Sequence, residues 1–211
     1  MYPTYARSER IADGTMHGLG VVGAIGGAVY LLLGTRNAVD PALMTGLLIY
    51  AVGLMATFCA SAFYHMTPWE EIRPILRRID HAAIYLKIAG TYTPFVMMIG
   101  TGFGYLVLAA VWVMAVIGIV TKLFFWRTPS RLGLFLYLGM GWISVFLVFS
   151  LIPVMPRHAM WLITAGGLLY TAGVVFFAWE NLKFSNAIWH GFVVVGSACF
   201  YGAIAMGAVA V

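Results

Sequence analysis

Side chains able to bind a metal or move a proton are few in this chain, and their spacing groups them. Ser61 and His65 are four residues apart, so they share one face of a helix. Asn186 and His190 repeat that spacing, with His190 one turn further along. Asp80 and His81 stand in a third stretch, and His17 in a fourth. Two imidazoles and a carboxylate, His65, His190 and Asp80, brought together from three helices could surround a tetrahedral Zn²⁺ and leave one position for water. Such a metal brings the pKa of its water toward about 7 and supplies a nucleophile. Ser61 would then stand close enough to act as a hydrogen-bond donor.

The elements that must position these groups follow from composition. Of 211 residues, 63% are hydrophobic and 9% charged. Soluble domains run at about 45–50% apolar and about 25% charged. A soluble enzyme, a disordered chain and a disulfide-stapled secreted module are excluded. An outer-membrane barrel would show short alternating segments, whereas these apolar runs are long and continuous. The net charge of +5 does not indicate nucleic-acid binding, because the charges lie between apolar runs. We expect an all-α polytopic membrane protein, a seven-transmembrane helix bundle forming one domain over 1–211. Its predicted spans are 17–34, 42–64, 80–100, 105–125, 132–152, 159–179 and 186–209. A span needs about 20 residues, and lipid demands helices because it cannot hydrogen-bond an open backbone. The polar opening, Met1 to Asp13, carries no cleavage pattern, so the first apolar run reads as a retained span.

Basic residues give the direction. Arg7, Arg10, Arg73, Arg77, Arg78, Lys122, Arg127, Arg131 and Lys183 fall on one side, and only Arg36 and Arg157 on the other. The rich side is cytoplasmic, which puts the N-terminus inside and the C-terminus outside. His17, His65, Asp80, His81, Asn186 and His190 then all lie in the cytoplasmic half, and His158 alone among the histidines does not. Ionisable groups at membrane depth are functional candidates by default. The cluster requires the second, third and seventh spans to face one cavity.

Simpler roles stand beside these. His17 and His81 read as interfacial or packing histidines. Asp80 reads as a helix-start carboxylate at the positive end of the dipole. Lys87, on the face of Asp80, reads as a snorkelling side chain or as its counter-charge. Glu180 reads as a solvated boundary charge. Trp69, Trp126, Trp161 and Trp179 read as an interfacial belt, and Cys59 and Cys199 as packing groups. Gly18, Gly20, Gly23, Gly26 and Gly27 suit close helix approach.

Four stretches carry a resemblance. They are Glu9-Arg-Ile-Ala-Asp-Gly-Thr-Met-His17-Gly, Ser61-Ala-Phe-Tyr-His65, Arg78-Ile-Asp80-His81 running on to Ile88-Ala-Gly-Thr-Tyr-Thr-Pro94-Phe, and Ala187-Ile-Trp-His190-Gly-Phe. Together they resemble the hemolysin III family, the bacterial branch of the progestin and adipoQ receptor superfamily, over nearly the whole chain. The resemblance implies seven spans, an inside N-terminus and a zinc site near the cytoplasmic face. Carried over, His65 and His190 match ligands, Asp80 the carboxylate that holds the metal-bound water, and Ser61 the serine of the second-span motif. The chain departs where Asn186 replaces a ligand histidine, and Asn is a weak donor for Zn²⁺. Asp80 could then enter the ligand set, His81 or His17 could substitute, or the site could lack metal. Asp13 also stands in place of Asn, and Phe200 in place of a histidine that bacterial members often carry.

Three functions follow as expectations. The first is a zinc-dependent hydrolase of a lipid amide, ceramide-like, in a bacterial inner membrane, with Asp80 as base and Ser61 as donor. The second is a non-catalytic lipid-binding or sensing protein whose polar cluster is a staple. The third is a pore-forming cytolytic factor, which would need oligomers because the polar groups stop in one leaflet.

Overall fold

The computed structural model describes residues 6–125, 130–179 and 181–210. Each apolar run becomes a helix, punctuated by the residues that physics favours there. They are α1 (Arg7–Thr35), α2 (Pro41–Met66), α3 (Arg73–Ile99), α4 (Gly102–Phe124), α5 (Ser130–Trp142), a 3₁₀ turn (Ile143–Leu147), α6 (Val148–Leu151), α7 (Arg157–Ala178) and α8 (Ser185–Ala210). No strand occurs among the described residues. Asp40 caps α2 by accepting from the N–H groups of Ala42 (2.7 Å) and Leu43 (3.0 Å), with Pro41 opening the first turn. Gly100 closes α3 at φ 64, a conformation that suits glycine.

Six helices, α1, α2, α3, α4, α7 and α8, are long and apolar enough to cross a membrane. The fifth expected span is shorter and broken. The sequence predicts a continuous helix over 132–152, but the chain runs as α5, the 3₁₀ turn and α6. The phenol of Tyr92 on α3 donates to the carbonyls of Met140 (2.7 Å) and Gly141 (3.0 Å) just before the break. Irregular backbone at membrane depth persists where such partners satisfy it. Trp126, Arg127 and Glu180 lie outside the described residues.

Two helix starts differ from expectation in a way that matters. α1 begins at Arg7 and α3 at Arg73, well ahead of His17 and Asp80. Both site residues therefore sit inside helices, and Asp80 is a buried interior carboxylate rather than a helix-opening one.

Helix α3 is the axis of the bundle and touches α2, α4, α5 and α8. Glycines let α2 and α3 come together closely. A methyl group at Gly53 would lie 3.2 Å from the Leu86 carbonyl, and one at Gly90 would lie 3.2 Å from the Ile49 carbonyl. The glycines of α1 behave unequally. Gly20 packs under Phe58 and Gly27 beside Tyr201, while Gly18, Gly23 and Gly26 face open space.

A buried histidine centre

Three helices bring one imidazole each to a common point. His17 comes from α1, His65 from the end of α2 and His190 from α8. Ring centroids lie 4.9 Å apart for His17 and His65, 4.2 Å for His17 and His190, and 4.7 Å for His65 and His190. One ligand atom from each falls within 4.8 Å of the others.

Asp13, one turn before His17, organises the rings. Its carboxylate accepts from His190 Nδ1–H at 2.7 Å and lies 3.6 Å from Nδ1 of both His17 and His65. Its backbone carbonyl accepts from His17 Nδ1–H at 2.8 Å. A carbonyl can only accept, so His17 carries its proton on Nδ1 and its lone pair on Nε2. The same holds for His190 beside the carboxylate. Both Nε2 atoms face Ser61 Oγ, at 3.2 Å from His17 and 3.5 Å from His190. A hydroxyl has one proton, so it can satisfy only one of these two buried lone pairs at a time. The donor set therefore fits a cation: imidazole nitrogens of His17 and His190 facing inward beside the His65 ring, with a carboxylate against the far side.

Asn186 lies beside one of the rings, and Asp80 is not among the residues whose ligand atoms are mutually close. The Asn186 side-chain amide lies 3.3 Å from His65 Nδ1. Its amide nitrogen faces the ring and donates to Nδ1; turning the amide over would let its oxygen accept Nδ1–H and leave Nε2 free for a metal. Asp80 is beside Ser61, near His190, and stands outside the group of mutually close ligand atoms. His81 also stands outside it, its backbone carbonyl accepting from Tyr137 at 3.2 Å. The metal-capable group is thus His17, His65 and His190, with His17 supplying the third imidazole.

The roles of two residues escaped the sequence reading. Asp13 is the shared partner of the rings. Glu9 ties the depth of α1 to that of α8, accepting from Ala6 N (3.0 Å) and from Phe184 N (2.9 Å) just before α8. Glu9, Asp13 and His17 follow one another at four-residue intervals, and that helical periodicity was the available signal.

The centre opens into a cavity of about 1180 Å³ lined by α1, α2, α3, α5, the 3₁₀ turn, α6, α7 and α8. It has Arg73 and Arg77 at one end and Phe95 and Leu151 at the other. The second, third and seventh spans therefore do face one cavity. Lys87 does not snorkel out and does not pair with Asp80. Its ammonium donates to Tyr170 and Ser197 inside the bundle.

A multi-pass integral membrane bundle with a buried histidine centre is the class these features define. The chain matches the family described as Haemolysin-III related over residues 5–201. It is 34% identical over 194 residues to Hemolysin-3 of Bacillus cereus, covering 92% of this chain and 89% of that protein. It is 36% identical over 195 residues to the Hemolysin-3 homolog of Bacillus subtilis (strain 168), covering 92% and 91%. The monocyte to macrophage differentiation factor of Homo sapiens is 31% identical over 169 residues, 74% of this chain and 67% of that one. The chain belongs to the Haemolysin-III related family.

Proposed function

We propose that this protein is a zinc-dependent hydrolase of an amide bond in a membrane lipid, working near the cytoplasmic face of a bacterial inner membrane. The observation that carries the reading is the inward-facing set of His17, His65 and His190 at the edge of a large, mostly apolar cavity. Zinc held by these three rings would polarise an acyl carbonyl and acidify water there. Asp13 holds His17 and His190 with Nδ1 protonated and Nε2 free. Asp80, facing Ser61 and His190 in the same cavity, would take a proton from water and return it to the leaving amine. Ser61, between the rings and Asp80, can donate to a developing oxyanion. The apolar walls hold the acyl chain and exclude bulk water.

The test is fatty-acid release from a fluorescent ceramide by zinc-loaded protein in lipid vesicles. Release that is lost in Asp80→Asn, with zinc content unchanged, supports the reading. Protein that holds zinc and cleaves no acyl-amide lipid opposes it.

A second reading is favoured by the hydrogen bonding itself. Asp13, Ser61 and Asn186 give each ring a partner, so the cluster could act as a staple in a lipid-binding bundle. Normal growth phenotypes and protein levels in a His65→Ala, His190→Ala double variant would support that reading.

A further inference from the structure

Deeper in the same cavity is a second polar cluster that the hydrolase reading does not use. Lys87 sits near the middle of α3, seven residues beyond Asp80, hence about 10 Å deeper at about 1.5 Å per residue. It is only 8% exposed. Its Nζ donates to Tyr170 Oη and to Ser197 Oγ (2.6 Å), and those two hydroxyls are 2.7 Å apart. The rings of Phe58 and Tyr170 lie 5.0 and 4.9 Å from the ammonium. Every group named here is neutral except the lysine. No carboxylate pairs with it among the salt bridges of the described residues. A lysine has three protons to donate, and two are used.

A separate observation comes from the same cavity. Tyr50 on α2 is 2% exposed and its hydroxyl has no hydrogen-bond partner. It lines the same cavity. Its Cα lies against Gly90, one turn beyond Lys87, where a methyl group would approach it to 3.6 Å. A buried hydroxyl left unpaired is costly, and a buried ammonium without a counter-charge is more so. Both costs are removed by one kind of guest, an anion that accepts from both.

We propose that Lys87 and Tyr50, with Tyr170 and Ser197 behind them, form a carboxylate-binding subsite for an amphiphile whose alkyl chain lies in the cavity. A carboxylate fits because its two oxygens can take the third ammonium proton and the free phenol, and because one negative charge balances one positive charge. The apolar walls around the cluster suit a hydrocarbon chain and leave a bare inorganic anion poorly solvated. The subsite does not depend on metal at the histidines, so its test separates it from the hydrolase reading.

The experiment measures binding of tritiated hexadecanoate to the full-length protein in detergent, with hexadecanoate, its methyl ester and hexadecanol as competitors. Wild type should prefer the acid over the ester by about tenfold or more, in keeping with a charge-assisted contact. That preference should vanish in Lys87→Met and weaken in Tyr50→Phe, yet persist in His65→Ala and after chelation. Tyr50→Phe removes only an unpartnered oxygen, so it should fold even where Lys87→Met does not. An acid preference that Tyr50→Phe and Lys87→Met leave untouched overturns the subsite. So does a preference lost on chelation or in His65→Ala, which would put the carboxylate at the histidines. Equal affinity for acid and ester in wild type also overturns it.

Discussion

Asp13 and His190, at opposite ends of the chain, meet at 2.7 Å, and through that contact α1 and α8 share one polar centre. The same carboxylate lies 3.6 Å from His17 and His65. It hydrogen-bonds the His190 ring and stands beside the other two, while the Asp13 backbone carbonyl takes the His17 proton. Asp13→Ala should therefore lower metal affinity about 10- to 100-fold, the range for loss of a ligand's supporting carboxylate. Asp13→Asn keeps an oxygen that can accept from His190 and should retain most of the affinity. Competition for zinc against a chromophoric chelator measures both.

Asn186 supports His65 from α8, 3.3 Å from its Nδ1. Asn186→Leu keeps the volume and removes the partner. We expect metal affinity to fall by about tenfold, the lower end for an outer-shell change, with little loss of folded protein. An unchanged affinity would show that Asp13 alone orients the ring.

Packing offers a test independent of chemistry. A methyl group at Gly118 on α4 would lie 2.5 Å from the ring of Tyr85, which is fully buried and packed against Tyr137 at 4.6 Å between centroids. That ring has little room to move aside. Gly118→Ala should destabilise the bundle by about 1–3 kcal/mol, the usual cost of overpacking. Thermal unfolding in detergent would show it as a lowered midpoint.

The distribution of basic residues over seven expected membrane segments leads us to expect an inside N-terminus and an outside C-terminus. A C-terminal alkaline phosphatase fusion should be active in a bacterial host, and a C-terminal green fluorescent protein fusion should be dark. The opposite pattern would place the histidine centre in the outer leaflet.

The long helices were legible because each is a run of apolar residues ended by polar or glycine punctuation. The break in the fifth segment was not, because the phenol that satisfies it, Tyr92, lies 48 residues away from Met140. His65 and His190 stood out by their spacing from Ser61 and Asn186. His17 read as one packing histidine among others, because its partners come from α2 and α8 and only the fold brings them near. Asp80 drew attention as a carboxylate at membrane depth. Its separation from the ring nitrogens depends on how far α3 stands from α1, and no spacing within one helix gives that. Lys87 was visible as an intramembrane charge, while its hydroxyl partners on α7 and α8 were not.

The most direct measurement is the metal content of protein purified in detergent without chelators, by elemental analysis, beside His17→Ala, His65→Ala, His190→Ala and His81→Ala. We expect about one zinc per chain in wild type, lost in the first three variants and kept in His81→Ala. Wild-type protein that stays metal-free after refeeding with zinc, or that keeps its metal in His17→Ala, would contradict the three-histidine centre.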